Sequence, residues 1–194
     1  MNFLAHIFLS GDHDEIMVGN FIADSVKGSE STKFSPGVQE GIRLHRIIDT
    51  YTDGHPITLK SKERLRERYG KYSPVITDIF YDHFLAVHWD EFSKIDLRTY
   101  VDQTYKFLRE HHEMFPERSK QFYKYMTTYD ILFAYSKIEG IDKVMQGMSR
   151  RAKFESGMET AATALIQNYG AFEAEFKEFF PQLQSHVLTR DKII

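Results

Sequence analysis

Apolar side chains recur along nearly the whole sequence at three- and four-residue spacing, and no alternation of apolar and polar residues persists between turn signals. That periodicity predicts helices almost throughout. Residues that start turns or stop helices cluster at 10–11, 28–36, 53–56, 70–74, 90–96, 115–116, 139–140, 156–157 and 180–181. They divide the chain into roughly eight to ten helices of ordinary length. Ser35 before Pro36 is a good helix entry, because serine caps free amides and proline presets φ at the first helical position; Ser73 before Pro74 repeats it. With no internal repeat and no linker, the expected architecture is all-α, one multi-helix bundle over 1–194.

The composition narrows the chemistry. Of 194 residues, 42% are hydrophobic and 14% aromatic, ample for a packed core, and the aromatic residues of the C-terminal half fall at helical spacing that fits packing. The absence of cysteine excludes disulfides, thiolate zinc sites and cysteine nucleophiles, leaving His, Asp and Glu as metal ligands. The net charge of −3 argues against broad nucleic-acid binding, and the basic runs at 62–71 and 150–153 read as solvated helix faces. No apolar run approaches the ~20 residues that cross a bilayer, and the opening MNFLAHIFLSG lacks the basic start of a signal peptide. A cytoplasmic protein with neither nucleic-acid nor membrane partner is expected.

Polar residues on apolar stripes carry the functional signal. In the helix starting at Pro36, with Asp49 at angle zero, His45 lies at about −40°, Val38 near −20° and Ile42 near +20°. His45 and Asp49 therefore extend an inward stripe, where an ionised carboxylate needs a cation or donor. Arg46, at about +60°, is one such partner, and a metal ion is the other. In PVITDIFYDHFLAVHW, Asp78 and Asp82 stand on the same face amid apolar residues of what should be a central helix, with His83 at its edge. Asn2 and His6 share a face, as do Asn20 and Asp24, with Met17 and Phe21 marking the side of Asp24 as inward. A divalent ion such as Mn²⁺, Mg²⁺ or Fe²⁺ is one way to satisfy these acids and imidazoles together. His13, His55, His111, His112 and His186 fall near turns or on polar segments and are assigned no chemistry. No HExxH, EF-hand, Walker or GxSxG pattern is present.

MNFLAH, GNFIAD, HRIIDTYTD and DIFYDHFLAVHW, in this order, resemble the acyl carrier protein phosphodiesterase family over most of the chain. The resemblance implies an all-helical, HD-domain-like fold and an enzyme that removes 4′-phosphopantetheine from holo-acyl carrier protein with the help of a divalent metal, foremost Mn²⁺. An ordinary HD phosphohydrolase has an adjacent His-Asp pair, whereas here Asp82 precedes His83. Carried onto this sequence, the resemblance implies His6, Asp24, His45, Asp82 and His83 as metal ligands. Arg46, Asp49 and Asp78 are read as catalytic groups, the two acids either orienting the ligand imidazoles or ligating directly, with Arg43 on the substrate side as a helper to Arg46 and with Asn20 and His88 as further substrate contacts; Asp53 and Trp89 also fall within the motifs. Basic residues Arg64, Arg66, Arg68, Arg150 and Arg151 would attract an acidic carrier protein. Two rival readings stand beside it: a phosphohydrolase for nucleotides or another small phosphodiester, and a non-catalytic helical binding module whose buried acids pair with Arg43 and Arg46.

Overall fold

The computed structural model describes residues 1–190; residues 191–194 of the expected domain lie outside them. Eleven α-helices and no strand occur among the described residues: α1 (Phe3–Phe8), α2 (Asp14–Ile22), α3 (Pro36–Gly54), α4 (Pro56–Tyr69), α5 (Ser73–Val87), α6 (Leu97–Glu110), α7 (Glu117–Thr128), α8 (Ile131–Ala134), α9 (Ile138–Arg151), α10 (Ala161–Gln167) and α11 (Tyr169–Arg190). The all-α expectation holds, with more divisions than the turn signals gave. Asp130, in the left-handed region at φ 48°, separates α7 from α8 without a glycine or proline to announce it.

Three boundaries differ from the sequence reading. Ser35 does cap α3, its Oγ accepting from the Val38 amide. Ser73 does not cap α5: it is already helical, and its Oγ donates to the Gly70 carbonyl at 2.8 Å. Gly140 lies inside α9 rather than ending a helix, because a Cβ there would sit 1.9 Å from the Ala134 carbonyl oxygen and only glycine lets the chain pass so closely. At Pro181, α11 continues: the proline is exposed while Phe179, Phe180, Leu183 and Val187 are buried around it, so packing overrides the missing amide.

One continuous core runs from Met1 to Val187. The central helix expected from the sequence is α5, whose Ile76, Ile79, Phe80, Tyr81, Phe84 and Leu85 are fully buried. The C-terminal aromatics pack rather than display a surface: Phe172 meets Phe80 at 5.1 Å and Phe176 meets Tyr81 at 5.8 Å, both edge to face. Glu175 of α11, itself buried, receives two hydrogen bonds from Arg64 of α4 at 2.7 Å and one from Ser61. The basic run at 62–71 is thus only partly a solvated face, since Lys62 is also buried, against Asp53.

At the crossing of α2 and α3, glycine meets glycine. A Cβ on Gly19 would fall 2.0 Å from the Val38 carbonyl oxygen, and one on Gly41 would fall 2.1 Å from that of Ile16. With no side chain between them the two backbones touch, which sets Asn20, the residue after Gly19, against His45, one turn beyond Gly41.

Candidate metal centre

His6 of α1 and His45 of α3 are both buried, and their rings stack with centroids 4.0 Å apart. Asn20 lies between them. Its Nδ2 donates to the His6 carbonyl at 2.7 Å and to Ser10 Oγ at 3.0 Å, while Ser10 Oγ donates to the same carbonyl at 2.9 Å. The amide orientation follows: Asn20 Oδ1 must be the atom that faces the imidazoles, 2.9 Å from His6 Nδ1 and 3.0 Å from His45 Nδ1. An amide oxygen only accepts, so both rings carry their proton on Nδ1.

Both Nε2 atoms then point at carboxylates. His6 Nε2 is 3.1 Å from Asp49 Oδ1, and His45 Nε2 is 3.2 Å from Asp49 Oδ2 and 3.4 Å from Asp24 Oδ1. A neutral imidazole held in this tautomer offers a lone pair to an atom that also offers one. Either a second proton or a cation must stand between each pair.

The electrostatics divide the two rings. Burial would lower the pKa of His45, but its bonds to Asp24 and Asp49 outweigh that and push it up to about 9. Burial, helped by the neighbouring His45 charge, pulls His6 down to about 4 against the contrary effect of Asp49. Burial acts to raise Asp49, yet its bonds to His45 and His6 hold it well below the carboxylate range; the bond to His45 lowers Asp24 as well. Protonation therefore answers the mismatch at His45, whereas at His6 it leaves the Nε2 lone pair facing Asp49. One nitrogen each from His6 and His45 and one oxygen from Asp49 gather within 4.8 Å of one another, the spacing of groups that share a metal ion.

The other expected site residues are placed as follows. Asp24 joins the cluster, but its side chain is exposed rather than inward: α2 ends at Ile22 and tightens into a 3₁₀ turn at Ala23–Ser25, so the α-helical angle no longer applies. Asp82 is fully buried outside the cluster, accepting from the backbone amides of Asn2 at 3.1 Å, Leu4 at 2.8 Å and Ala5 at 3.4 Å. Burial pushes Asp82 up to about 7 against these bonds. Asp78 accepts from the Met1 amino group at 3.1 Å. The two acids of α5 thus meet the donor-rich start of α1 instead of an ion, and they fix the helix that presents His6.

His83 is not brought to the cluster. Its Nδ1–H donates to the Tyr135 carbonyl at 2.7 Å and its Nε2 accepts from the Tyr169 hydroxyl at 3.1 Å, so both nitrogens are satisfied. His88 is likewise elsewhere, with Nε2 2.7 Å from Glu173. Trp89 donates to the Ile95 carbonyl, and Asp53 pairs with Lys62. Asn20, expected to touch substrate, is buried and spends its amide on the imidazoles and on α1.

Arg43 pairs with Glu40, and Arg46 is exposed with no ion pair among the described residues. Neither reaches the buried acids, which removes the pairing on which the non-catalytic module rested. Arg64, expected on a docking surface, is taken up by Glu175. Sequence reasoning missed Ser10, Gly19 and Gly41. The four-residue step from His6 to Ser10 was a usable signal; the glycine crossing left none, because it shows only once two helices are placed together.

A family model for acyl carrier protein phosphodiesterases matches residues 1–183. Curated relatives of that name include one from Photorhabdus laumondii subsp. laumondii, 30% identical over 192 residues and covering 98% of this chain and 97% of its own. One from Salmonella paratyphi A is 31% identical, covering 95% and 96%, and one from Yersinia pestis is 30% identical, covering 94% and 95%. No solved structure matches significantly, so the HD-like label has no structural neighbour behind it.

Proposed function

The chain belongs to the acyl carrier protein phosphodiesterase family, and from that premise we propose that it hydrolyses the phosphodiester joining 4′-phosphopantetheine to the serine of holo-acyl carrier protein. A divalent cation would be held by His6 Nε2, His45 Nε2 and the Asp49 carboxylate, with Asp24 at the exposed edge. The observation that carries this reading is the facing of His6 Nε2 and Asp49 Oδ1 across 3.1 Å while Asn20 keeps the ring proton on Nδ1. When bound, such a cation supplies a Lewis acid for a phosphate oxygen and lowers the pKa of water. A mixed set of imidazole and carboxylate ligands accepts several divalent ions, and Mn²⁺, the ion implied by the family resemblance, is the first candidate, with Mg²⁺ and Fe²⁺ beside it.

The chain's own residues have distinct parts. Asn20 fixes ring orientation and tautomer, with Ser10 fixing Asn20. Asp78 and Asp82 hold α1 so that His6 faces α3. The Arg46 guanidinium, exposed three residues before Asp49 on α3, would neutralise charge gathering on the phosphoryl oxygens. In the overall reaction water adds to phosphorus, the bond from phosphorus to the serine oxygen breaks, and that oxygen takes up a proton. Within this reading the enzyme works in the cytoplasm on a protein substrate, and no nucleic acid or membrane enters the reaction.

Mass spectrometry of holo-carrier protein is the test. Wild type should convert it to the apo form, and His6→Ala and Asp49→Asn, checked for folding by circular dichroism, should be slower by about 10²-fold or more. Turnover of a nucleotide panel with no loss of phosphopantetheine would move the assignment to a small-phosphodiester hydrolase.

A further inference from the structure

A groove of about 470 Å³ opens along α3. Its lining includes Arg43, Arg46, Ile47, Thr50, Tyr51 and His186, the last from α11. The volume lies within the range of about 300–1,000 Å³ typical of pockets that enclose small molecules. On α3, Arg46 and Thr50 stand about 60° and 100° from Asp49, so their edge of the groove is the one nearest the cluster, while Ile47, Tyr51 and Gly54 turn to the far side of the helix.

The two ends of the groove differ in chemistry. Arg46 makes one end cationic, while the charge of Arg43, one turn before it, is met by Glu40. The wall beyond them is ring and hydrocarbon: Tyr51 stacks on His186 with centroids 4.2 Å apart, with Ile47 and Pro56 beside it. At the far end Gly54 has nothing within 4 Å of where a Cβ would project.

We infer that this groove takes the pantetheine arm of the carrier protein, with the phosphate at Arg46 beside the cation site and the arm running along α3 toward Gly54. This rests on the hydrolytic reading above. The arm's own chemistry matches the walls: a phosphate at one end, then a carbon bearing two methyl groups, then an extended chain of amides. Arginine suits the phosphate, and the Ile47 and Tyr51 side chains suit the methyl groups. His55 and His186, to which the sequence gave no chemistry, become parts of the groove wall.

The test is the binding of free 4′-phosphopantetheine, the expected product, followed by calorimetry or NMR, since it cannot be turned over. Wild type binds it, and Thr50→Trp and Gly54→Leu, which fill the groove from two exposed positions, each weaken binding by at least about tenfold. Arg46→Ala weakens binding of the phosphorylated compound and leaves dephosphorylated pantetheine within about twofold. No measurable binding by wild type, or unchanged affinity in both groove-filling variants that fold, overturns the inference. Hydrolysis of holo-carrier protein is scored separately. Binding as predicted without hydrolysis by any metal-loaded preparation would sink the functional reading and leave the groove assignment standing, and hydrolysis with binding unaffected by the variants would do the reverse.

Discussion

The imidazoles of His6 and His45 lie parallel to within 23°, and 4.0 Å apart, although 39 positions separate them in the chain. Two stacked rings cannot both hold a full charge comfortably, and the structure separates them by environment: His45 faces two carboxylates, whereas His6, the more deeply buried, faces one. The consequences of that division can be measured.

Metal binding should release a proton. In metal-free protein His45, pushed up to about 9, is an imidazolium at neutral pH, and a cation must displace its Nε2 proton. Calorimetric titration with Mn²⁺ near pH 7.5 in buffers of different ionisation enthalpy should report about one proton released per ion. The same shift sets a sign for stability without metal. Because the folded pKa lies above the ordinary 6.5, the stabilisation is full below about 6.5 and disappears as pH rises through about 9.

Asn20 is the lock on both tautomers, so Asn20→Ala should weaken Mn²⁺ affinity by about 10–100-fold, as removal of a group that orients metal-binding imidazoles does elsewhere. Electron paramagnetic resonance of bound Mn²⁺ measures it. The stability cost should be about 1–3 kcal/mol, for the lost bonds to His6 and Ser10. Unaltered affinity in a folded variant would mean that the rings orient themselves.

The glycine crossing makes a strong contrast between two glycines. Gly41→Ala forces a methyl group onto the Ile16 carbonyl and should cost about 1–3 kcal/mol or more in urea unfolding. Gly170→Ala, on α11 with open space around it, should be neutral or stabilising by up to about 1 kcal/mol. Gly41→Ala should also loosen the contact between Asn20 and His45, and so lower metal affinity along with stability.

Glu175 anchors α11 to α4 and responds to acid. Burial acts to raise its pKa, but Arg64, Ser61 and Lys60 together hold it below the ordinary glutamate value. Its stabilisation is therefore present above pH about 4.5 and is lost as pH falls through the depressed value. Glu175→Gln should lose about 1–3 kcal/mol at pH 7. Its stability should then fall less steeply than that of wild type on acidification, a comparison made by urea unfolding at several pH values.

These outcomes also mark what a sequence can and cannot disclose. His6, His45 and Asp49 were legible because a polar side chain on an apolar helical stripe demands a partner, and periodicity alone finds the stripe. Asp78 and Asp82 posed the same demand, but the answer was the start of α1, and no pattern within α5 distinguishes a helix N-terminus from a cation. The family resemblance put His83 in the proposed ligand set, although the helix angle left it at the edge of the face of Asp82, and its partners, Tyr135 and Tyr169, stand 52 and 86 positions away. Asp24 reaches the cluster, as read, but not the interior, since a tightening helix end changes the angle on which the reading relied.

The most direct measurement strips the protein of metal, adds Mn²⁺ in steps, and follows bound ion and release of phosphopantetheine from holo-carrier protein in the same samples. The account predicts negligible release from stripped protein, a rate that rises in parallel with occupancy, and loss of both in His6→Ala. Full activity in the stripped protein, or a rate that ignores occupancy, would contradict it.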